Sequence, residues 1–195
     1  ILVTGPSPGV GKSFVAANLA VAIAQGGQKV LLVDTDLRKG RLHKIFGLDK
    51  NGLTEILGQK MLPAEAAQPV SGVEGLHVVT RGDTPPNPSE LLMTPSLGEF
   101  LEWASGHYET VIVDSPPVLA VTDAVIVGQL CGIALMVVRF SESTHKEIMI
   151  SANRVRQNGV NLRGSILNAV EKRASSYYGY GGYYAYDYRK TDKDD

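Results

Sequence analysis

The sequence predicts one α/β domain built on a doubly wound, mostly parallel sheet. Short apolar, β-branched runs alternate with helix-like segments along most of the chain, which is the pattern of repeated strand–helix–strand units. The runs are apolar at almost every position, as expected of parallel strands buried on both faces. With 195 residues, 44% of them hydrophobic, the chain can bury a sizeable core. We assign residues 1–173 to this domain and residues 174–195 to a flexible, low-complexity tail.

Six strands are predicted. The first is short for the centre of a sheet, and the sequence opens without methionine, so we expect a segment of a longer polypeptide. The predicted strands are Ile1–Val3, Lys29–Val33, Leu76–Thr80, Thr110–Val113, Ile133–Val138 and Leu162–Leu167.

Three helical patterns lie between the strands. The first, Ser13–Gln25, is rich in alanine and stops at two glycines. The second falls within Pro88–Trp103, and the third begins at Thr144–Glu147, which matches a capping box. The most apolar stretch, Ala124–Val138, has 15 residues, whereas a membrane span needs about 20. We therefore expect it in the core.

Composition excludes several classes of function. The 19 Lys and Arg residues nearly balance the 20 Asp and Glu residues, and the net charge of -1 gives no general attraction to nucleic acid or anionic membranes. We therefore predict no nucleic-acid partner. Cys131 is the sole cysteine, so an intrachain disulfide is excluded, and the four histidines are too scattered to predict a histidine metal site.

A phosphate-binding loop is predicted between the first strand and the first helix. The segment Thr4–Ser13 reads TGPSPGVGKS; its glycines let backbone N–H groups face phosphate oxygens, and the helix N-terminus adds partial positive charge. Pro6 stands where the usual motif has glycine. The alternative is a glycine-rich turn without a ligand. The predicted nucleotide-binding residues are Pro8, Gly9, Val10, Gly11, Lys12, Ser13 and Phe14.

Aspartates end two further predicted strands, Asp34 and Asp36 after the second and Asp114 after the fourth. Ligands bind at the carboxyl ends of parallel strands, so these side chains are expected beside the phosphate loop, where they suit a Mg²⁺ site. Residues i and i+2 of an extended segment share one side, so either Asp34 or Asp36 fits the metal, and the other fits a proton acceptor. The competing interpretation is N-capping of the following helices.

Taken together, these segments resemble the bacterial tyrosine kinases (BY-kinases) of capsule and exopolysaccharide synthesis. The proline-containing loop is typical of that family, and the likeness covers nearly the whole chain. The segments that carry it are 6–13, 31–40 (LLVDTDLRKG), 81–92 (RGDTPPNPSELL), 112–117 (IVDSPP) and the tyrosine tail.

The resemblance implies ATP-dependent protein-tyrosine autokinase activity with Mg²⁺. By that likeness Lys12 contacts phosphate, and Ser13, Asp36 and Asp114 hold Mg²⁺ directly or through water. Asp34 is then the base for the tyrosine hydroxyl. Asn168 closes the last strand, where related ATPases contact adenine, although a turn cap fits it equally well.

The family likeness also implies partners. It implies a homo-oligomeric ring phosphorylating its tails in trans, a membrane-spanning copolymerase segment in the same polypeptide, a cytoplasmic position at the bacterial inner membrane, and a cognate low-molecular-weight tyrosine phosphatase. The family's upstream arginine-containing oligomerisation motif is absent from this sequence. The predicted phosphorylation sites are Tyr177, Tyr178, Tyr180, Tyr183, Tyr184, Tyr186 and Tyr188.

Two alternatives stay open. A positioning ATPase of the ParA/MinD type shares the deviant loop, but Ser7 occupies the place of that group's signature lysine. A non-catalytic, ATP-gated assembly regulator is the other. The basic cluster of Arg38, Lys39, Arg41 and Lys44 is expected beside the nucleotide or at a subunit contact.

Overall fold

Seven strands form one sheet, with the first strand near its centre. The computed structural model describes residues 1–171; the predicted boundary at residue 173 and the seven tail tyrosines lie outside the described residues. The strands are β1 Leu2–Thr4, β2 Val30–Asp34, β3 Gln68–Pro69, β4 Leu76–Val79, β5 Thr110–Asp114, β6 Ala134–Arg139 and β7 Leu162–Asn168. Their order is β3-β4-β2-β5-β1-β6-β7.

All six predicted strands are confirmed, and every neighbouring pair is parallel except β3 with β4. The sequence analysis missed β3, which has two residues and is too short to show a period. The helices are α1 Lys12–Gln25, α2 Leu42–Phe46, α3 Leu53–Leu57, α4 Pro63–Ala66, α5 Pro88–Leu92, α6 Pro95–His107, α7 Asp123–Gln129 and α8 His145–Gln157.

The helical pattern within Pro88–Trp103 is divided between α5 and α6. Thr94 adopts an extended conformation, with φ −69° and ψ 151°, and Pro95 begins α6. A residue before proline is disfavoured in the helical region, and proline has no N–H for the preceding turn. The apolar residues therefore keep a helical spacing across residues 88–103, although the backbone forms two helices with a break between them.

Each face of the sheet carries its own hydrophobic cluster. Leu31 and Val33 of β2 pack on the face that also holds Phe100 of α6, whereas Leu32 packs on the opposite face. There it meets the buried alanines of α1, Ala16 among them. Successive strand residues point to opposite faces, so burial on both sides explains the uninterrupted apolar runs.

Two further predictions are confirmed. Thr144 and Glu147 form the capping box of α8: the Glu147 N–H donates to Thr144 Oγ1 over 3.2 Å, and the Thr144 N–H donates to Glu147 Oε2 over 2.9 Å. The apolar stretch Ala124–Val138 folds into α7 and β6 and contributes to the core. Across residues 1–171, no helix has the length and apolar character to cross a membrane.

Replacing Leu32 tests how much the interior strand β2 contributes to stability. Leu32 is wholly buried, so Leu32→Ala is expected to lower the free energy of unfolding by about 2–5 kcal/mol through lost burial and a cavity. Leu130→Ala makes the same change at a side chain that is 50% exposed and should cost less than about 1 kcal/mol. Denaturant unfolding measures both, and equal losses would contradict the packing described for β2.

Candidate active site

The phosphate loop between β1 and α1 has a backbone that depends on glycine. Gly9 and Gly11 have φ values of 81° and 97°, in the region that residues with a Cβ rarely adopt. A Cβ on Gly11 would also collide with the Asn168 amide, and one on Gly5 would stand 2.6 Å from the Val137 carbonyl oxygen. The loop is therefore packed closely against Val137 of β6 and Asn168 of β7.

Lys12 and Ser13 begin α1, as the GKS motif predicts. The Lys12 side chain is buried, and Nζ donates to the Ser7 carbonyl over 3.4 Å. Burial lowers the pKa of Lys12, and the nearby carboxylates of Asp114 and Asp36 oppose that shift. The ammonium thus lies beside both acidic groups, at the N-terminus of a 14-residue helix.

Asp114 ends β5 in register with Asp34 at the end of β2. The Asp114 side chain is buried, and its Oδ1 has no hydrogen-bond partner among the described residues. Burial raises the pKa of Asp114 to about 7, against the opposing effects of the Ser13 hydroxyl and Lys12. An unpartnered, buried carboxylate oxygen beside a hydroxyl and an ammonium is poised to accept a ligand.

The two aspartates after β2 occupy different environments. Asp34 is wholly buried; its Oδ1 accepts from the Asp36 N–H over 3.2 Å, and its Oδ2 accepts from the Leu42 N–H over 3.1 Å. Burial and the charge of Asp114 raise the pKa of Asp34 well above its ordinary value. Gly40 passes so close to this carboxylate that a Cβ would collide with it. Asp34 therefore holds the loop that follows β2.

Asp36 instead lines an open cleft. Its Oδ1 accepts from the backbone N–H groups of Arg38 and Lys39, over 3.2 and 2.8 Å. Strand β2 ends at Asp34, the Thr35 N–H still donates to the Asp114 carbonyl over 2.9 Å, and the turn begins at Leu37. The expectation that Asp34 and Asp36 share one side of an extended segment stays a prediction.

The cleft has a volume of about 560 Å³ and is lined by three kinds of residue. Phosphate-loop residues 8, 9 and 11–14 line it, and Phe14 among them is 63% exposed. Three of the four residues of the predicted basic cluster also line it, namely Arg38, Lys39 and Arg41. Pro116, Pro117, Ala120 and Val121 add apolar surface.

Asn168 contacts the phosphate loop directly. Its Nδ2 donates to the Val10 carbonyl over 3.0 Å, and its Oδ1 accepts from the Ala169 N–H over 2.9 Å. These bonds fit the turn-capping alternative and hold the loop against β7. The contact with adenine stays a prediction.

Sequence reasoning missed the contacts that Arg81, Ser89 and Asp123 make with the loop after β2. Arg38 Nε lies 3.0 Å from Oδ2 of the buried Asp123, and its Nη2 donates to Ser89 Oγ over 2.8 Å. Ser89 donates in turn to Asp123 over 2.6 Å, and Arg81 Nη1 donates to the Leu37 and Arg38 carbonyls. Asp123 lies 85 positions from Arg38, and no local signal in the sequence indicates that pairing.

Ser7 has a partner that the sequence analysis also missed. Its hydroxyl donates to Glu147 Oε1 over 3.2 Å, so the capping box of α8 is joined to the phosphate loop. Hydrogen bonds from Thr144 and Ser7 lower the pKa of Glu147. The position that carries the signature lysine in ParA/MinD proteins is therefore occupied here by a bonded hydroxyl.

The residues present fit a nucleotide-bound Mg²⁺. Among residues 1–171, no group of three or more His, Cys, Asp or Glu side chains is arranged to hold a metal by itself. Mg²⁺ usually takes one or two carboxylates together with phosphate oxygens and water. The unpartnered oxygen of Asp114, the adjacent Ser13 hydroxyl and the cleft-facing Asp36 match that donor set.

The sheet order, the phosphate loop and the aspartates at strand ends define a P-loop nucleotide-binding domain of the MinD/ParA type. The family model described as "CobQ/CobB/MinD/ParA nucleotide binding domain" matches residues 1–179, and the chain belongs to that family. MinD from Pyrococcus horikoshii, in complex with Mg-ADP, has the same fold, with a TM-score of 0.72 at 24% identity over 90% of this chain and 74% of that one.

Within that family, the chain belongs to the group of bacterial tyrosine kinase domains. It resembles the kinase domain of the Escherichia coli tyrosine kinase Etk with a TM-score of 0.85 and 49% identity, over 89% of this chain and 68% of that one. It is 46% identical to the tyrosine-protein kinase wzc of Salmonella typhimurium over 99% of this chain. The match covers 27% of the wzc protein, so the chain spans about a quarter of the curated relatives it matches.

The raised pKa values predict how stability depends on pH in metal-free protein. The pKa of Asp114 is about 7 in the folded protein and 3.8 ordinarily, so the folded state binds more protons between those values. Protonation of Asp114 therefore adds to the free energy of unfolding. That addition is fully present below about pH 4 and is lost as the pH rises through 7. Asp114→Asn should flatten that loss.

Urea unfolding in EDTA from pH 4 to pH 8 measures the effect. Asp83→Asn, the same change at an exposed carboxylate, is the control and should keep the wild-type slope. A wild-type slope in Asp114→Asn would contradict the burial of that carboxylate.

Proposed function

We propose that this domain transfers the γ-phosphoryl group of Mg²⁺-bound ATP to protein tyrosines, with its own tyrosine cluster as a principal substrate. The observation that carries the proposal is one cleft in which Lys12, Ser13 and Asp36 converge in front of Asp114. Phosphoryl transfer needs positioned phosphates, neutralised charge and an oriented nucleophile. The cleft offers a group for each requirement.

The chain's own groups divide the work. Backbone N–H groups of residues 9–13 and the start of α1 bind the phosphates, and Lys12 neutralises the β- and γ-oxygens. Ser13 and Asp114 would hold Mg²⁺, which when bound supplies positive charge toward the transferring group. The tyrosine oxygen bonds to the γ-phosphorus while the bond to the bridging β–γ oxygen breaks. ADP leaves with that electron pair, and the phenolic proton passes to a carboxylate.

The geometry favours Asp36 as the acceptor of that proton. Family likeness gives this role to Asp34, but Asp34 is wholly buried and both of its oxygens accept backbone N–H groups. Asp36 faces the cleft, and only its Oδ1 has bonds to the adjacent loop. We therefore assign the base to Asp36 and the support of its loop to Asp34.

The larger assembly follows from the relatives. The proposal includes phosphorylation of Tyr177–Tyr188 in trans within a homo-oligomeric ring, and reversal by a low-molecular-weight tyrosine phosphatase. It also includes attachment to a membrane-spanning copolymerase segment, with this domain on the cytoplasmic side of the inner membrane. The role is regulation of capsular or exopolysaccharide polymerisation and export. The relatives named as tyrosine kinases are about four times longer than this chain, which leaves room for such a segment.

A ParA/MinD-type ATPase is the second candidate, since the fold is shared. Ser7 argues against this candidate, because it occupies the position of the signature lysine of ParA/MinD proteins and bonds to Glu147. An ATP-gated regulator without catalysis differs from the kinase in one measurable respect, because it transfers no phosphate to tyrosine.

Intact mass after incubation with Mg-ATP tests the kinase activity. Successive additions of about 80 Da, one per phosphate, should map to Tyr177–Tyr188. Lys12→Met should abolish them, because the phosphates lose their buried cation. Phosphate that persists in Lys12→Met, or that maps to serine or threonine, would contradict the proposal. ATP binding without any transfer, both in this domain and in a chain extended upstream, would favour the regulator.

A pair of variants separates the two aspartates. Asp36→Asn should abolish transfer while leaving the free energy of unfolding within about 0.5 kcal/mol, since its side chain lines the cleft. Asp34→Asn should cost about 1–3 kcal/mol, because an amide NH₂ would then face a buried N–H donor. Phosphate transfer and urea unfolding are measured on both. An Asp34→Asn protein of wild-type stability that binds ATP and transfers nothing would restore Asp34 as the base.

A further inference from the structure

The rim of the cleft beside Asp36 carries two cations that the proposed chemistry does not use. Lys39 and Arg41 line the cleft and are exposed. The ion pairs found among residues 1–171 are Arg38 with Asp123 and Arg139 with Glu142, so within those residues neither Lys39 nor Arg41 has a counter-ion. Their charges therefore act on whatever enters the cleft.

These cations are attached to the same loop as the proposed base. The Lys39 N–H bonds to Asp36 Oδ1 over 2.8 Å, and the Gly40 N–H bonds to the Asp36 carbonyl over 2.7 Å. Asp34 anchors the loop from behind through the Leu42 N–H. A hydroxyl that reaches Asp36 must therefore bring its flanking residues close to Lys39 and Arg41. Pro116, Pro117 and Val121 line the same cleft and offer an apolar surface to an aromatic ring.

We propose that Lys39 and Arg41 select tyrosine acceptors whose neighbouring residues are negatively charged. The inference rests on the proposed kinase function and names the substrate class that this cleft prefers. Opposite charges at a water-exposed rim attract over a few ångströms, and like charges repel. An acceptor with a basic neighbour is therefore disfavoured at the same place.

The chain's own tail then has a preferred first site. Within Tyr177–Tyr188 the sole acidic residue is Asp187, between Tyr186 and Tyr188, and Arg189 follows Tyr188. Tyr186 thus has an acidic neighbour and no adjacent cation, so it is the first acceptor. Each phosphate adds about −1.5 to −2 charges at pH 7. A phosphate on Tyr186 makes Tyr184 an acidic-flanked acceptor, and the modification spreads toward Tyr177.

Steady-state transfer to synthetic peptides tests the selection. The acceptor is a peptide of residues 177–188, in native form and with Asp187→Asn or Asp187→Lys. Wild-type protein should show a KM about 1.5- to fivefold lower for the native peptide than for Asp187→Asn, the range expected of an exposed ion pair. Arg41→Ala should remove that difference, and Arg41→Glu should favour the Asp187→Lys peptide. The KM for ATP should not change.

Arg156→Ala is the matched control, because it removes an exposed arginine from α8 and should leave the preference intact. An unchanged peptide preference in Arg41→Glu would overturn the inference, as would a raised KM for ATP in place of the peptide effect. Site-resolved mass spectrometry of the chain's own tail adds an independent readout, in which the first phosphate should fall on Tyr186. Transfer without charge preference would defeat this inference alone, whereas no transfer to any tyrosine would defeat the proposed function with it.

Discussion

The site depends on one constraint, the adjacency of three parallel strand ends. Strands β2, β5 and β1 are consecutive in the sheet, and the register aligns Asp34 with Asp114 and Asp114 with Val3, just before the phosphate loop. Parallel strands must all deliver their carboxyl ends to one edge. A phosphate loop and two acidic segments that lie far apart in sequence thereby meet without any long connection at the site itself.

That convergence places like charges in a desolvated space. Asp34 and Asp114 are both buried, Lys12 is a cation close to Asp114, and burial dominates the pKa shift of all three groups. Groups held in this way lower the stability of the empty protein, which is a common property of functional sites. A bound Mg²⁺ would supply the missing positive charge, and the phosphates of the nucleotide would bind to the phosphate loop. Binding is thus expected to stabilise the domain as well as to assemble the site.

The loop after β2 is held in position by hydrogen bonds from several directions. Asp34 holds it from behind through two backbone N–H groups, and Arg38 holds it from the side through Asp123 and Ser89. Arg81 adds bonds to the carbonyls of the same loop. Residues 81–92 therefore support residues 31–40, because Arg81 and Ser89 of the first segment bond to Leu37 and Arg38 of the second. The loop thus presents a fixed carboxylate inside the cleft and two cations at its rim.

Much of this arrangement is determined by the sequence alone. Burial on both faces leaves nearly uninterrupted apolar runs, and these runs identified six of the seven strands. Local chemistry identified the phosphate loop, the helix at Thr144 and the aspartates at strand ends. The five-residue helices α2 and α3 and the two-residue β3 are too short to show a period. Tertiary structure alone decided that Asp36 faces the cleft while Asp34 is enclosed, and that Arg38 pairs with Asp123. The physical reason is that the exposure of a side chain depends on what packs over it, and a contact across 85 positions is fixed by packing rather than by any neighbour in the chain.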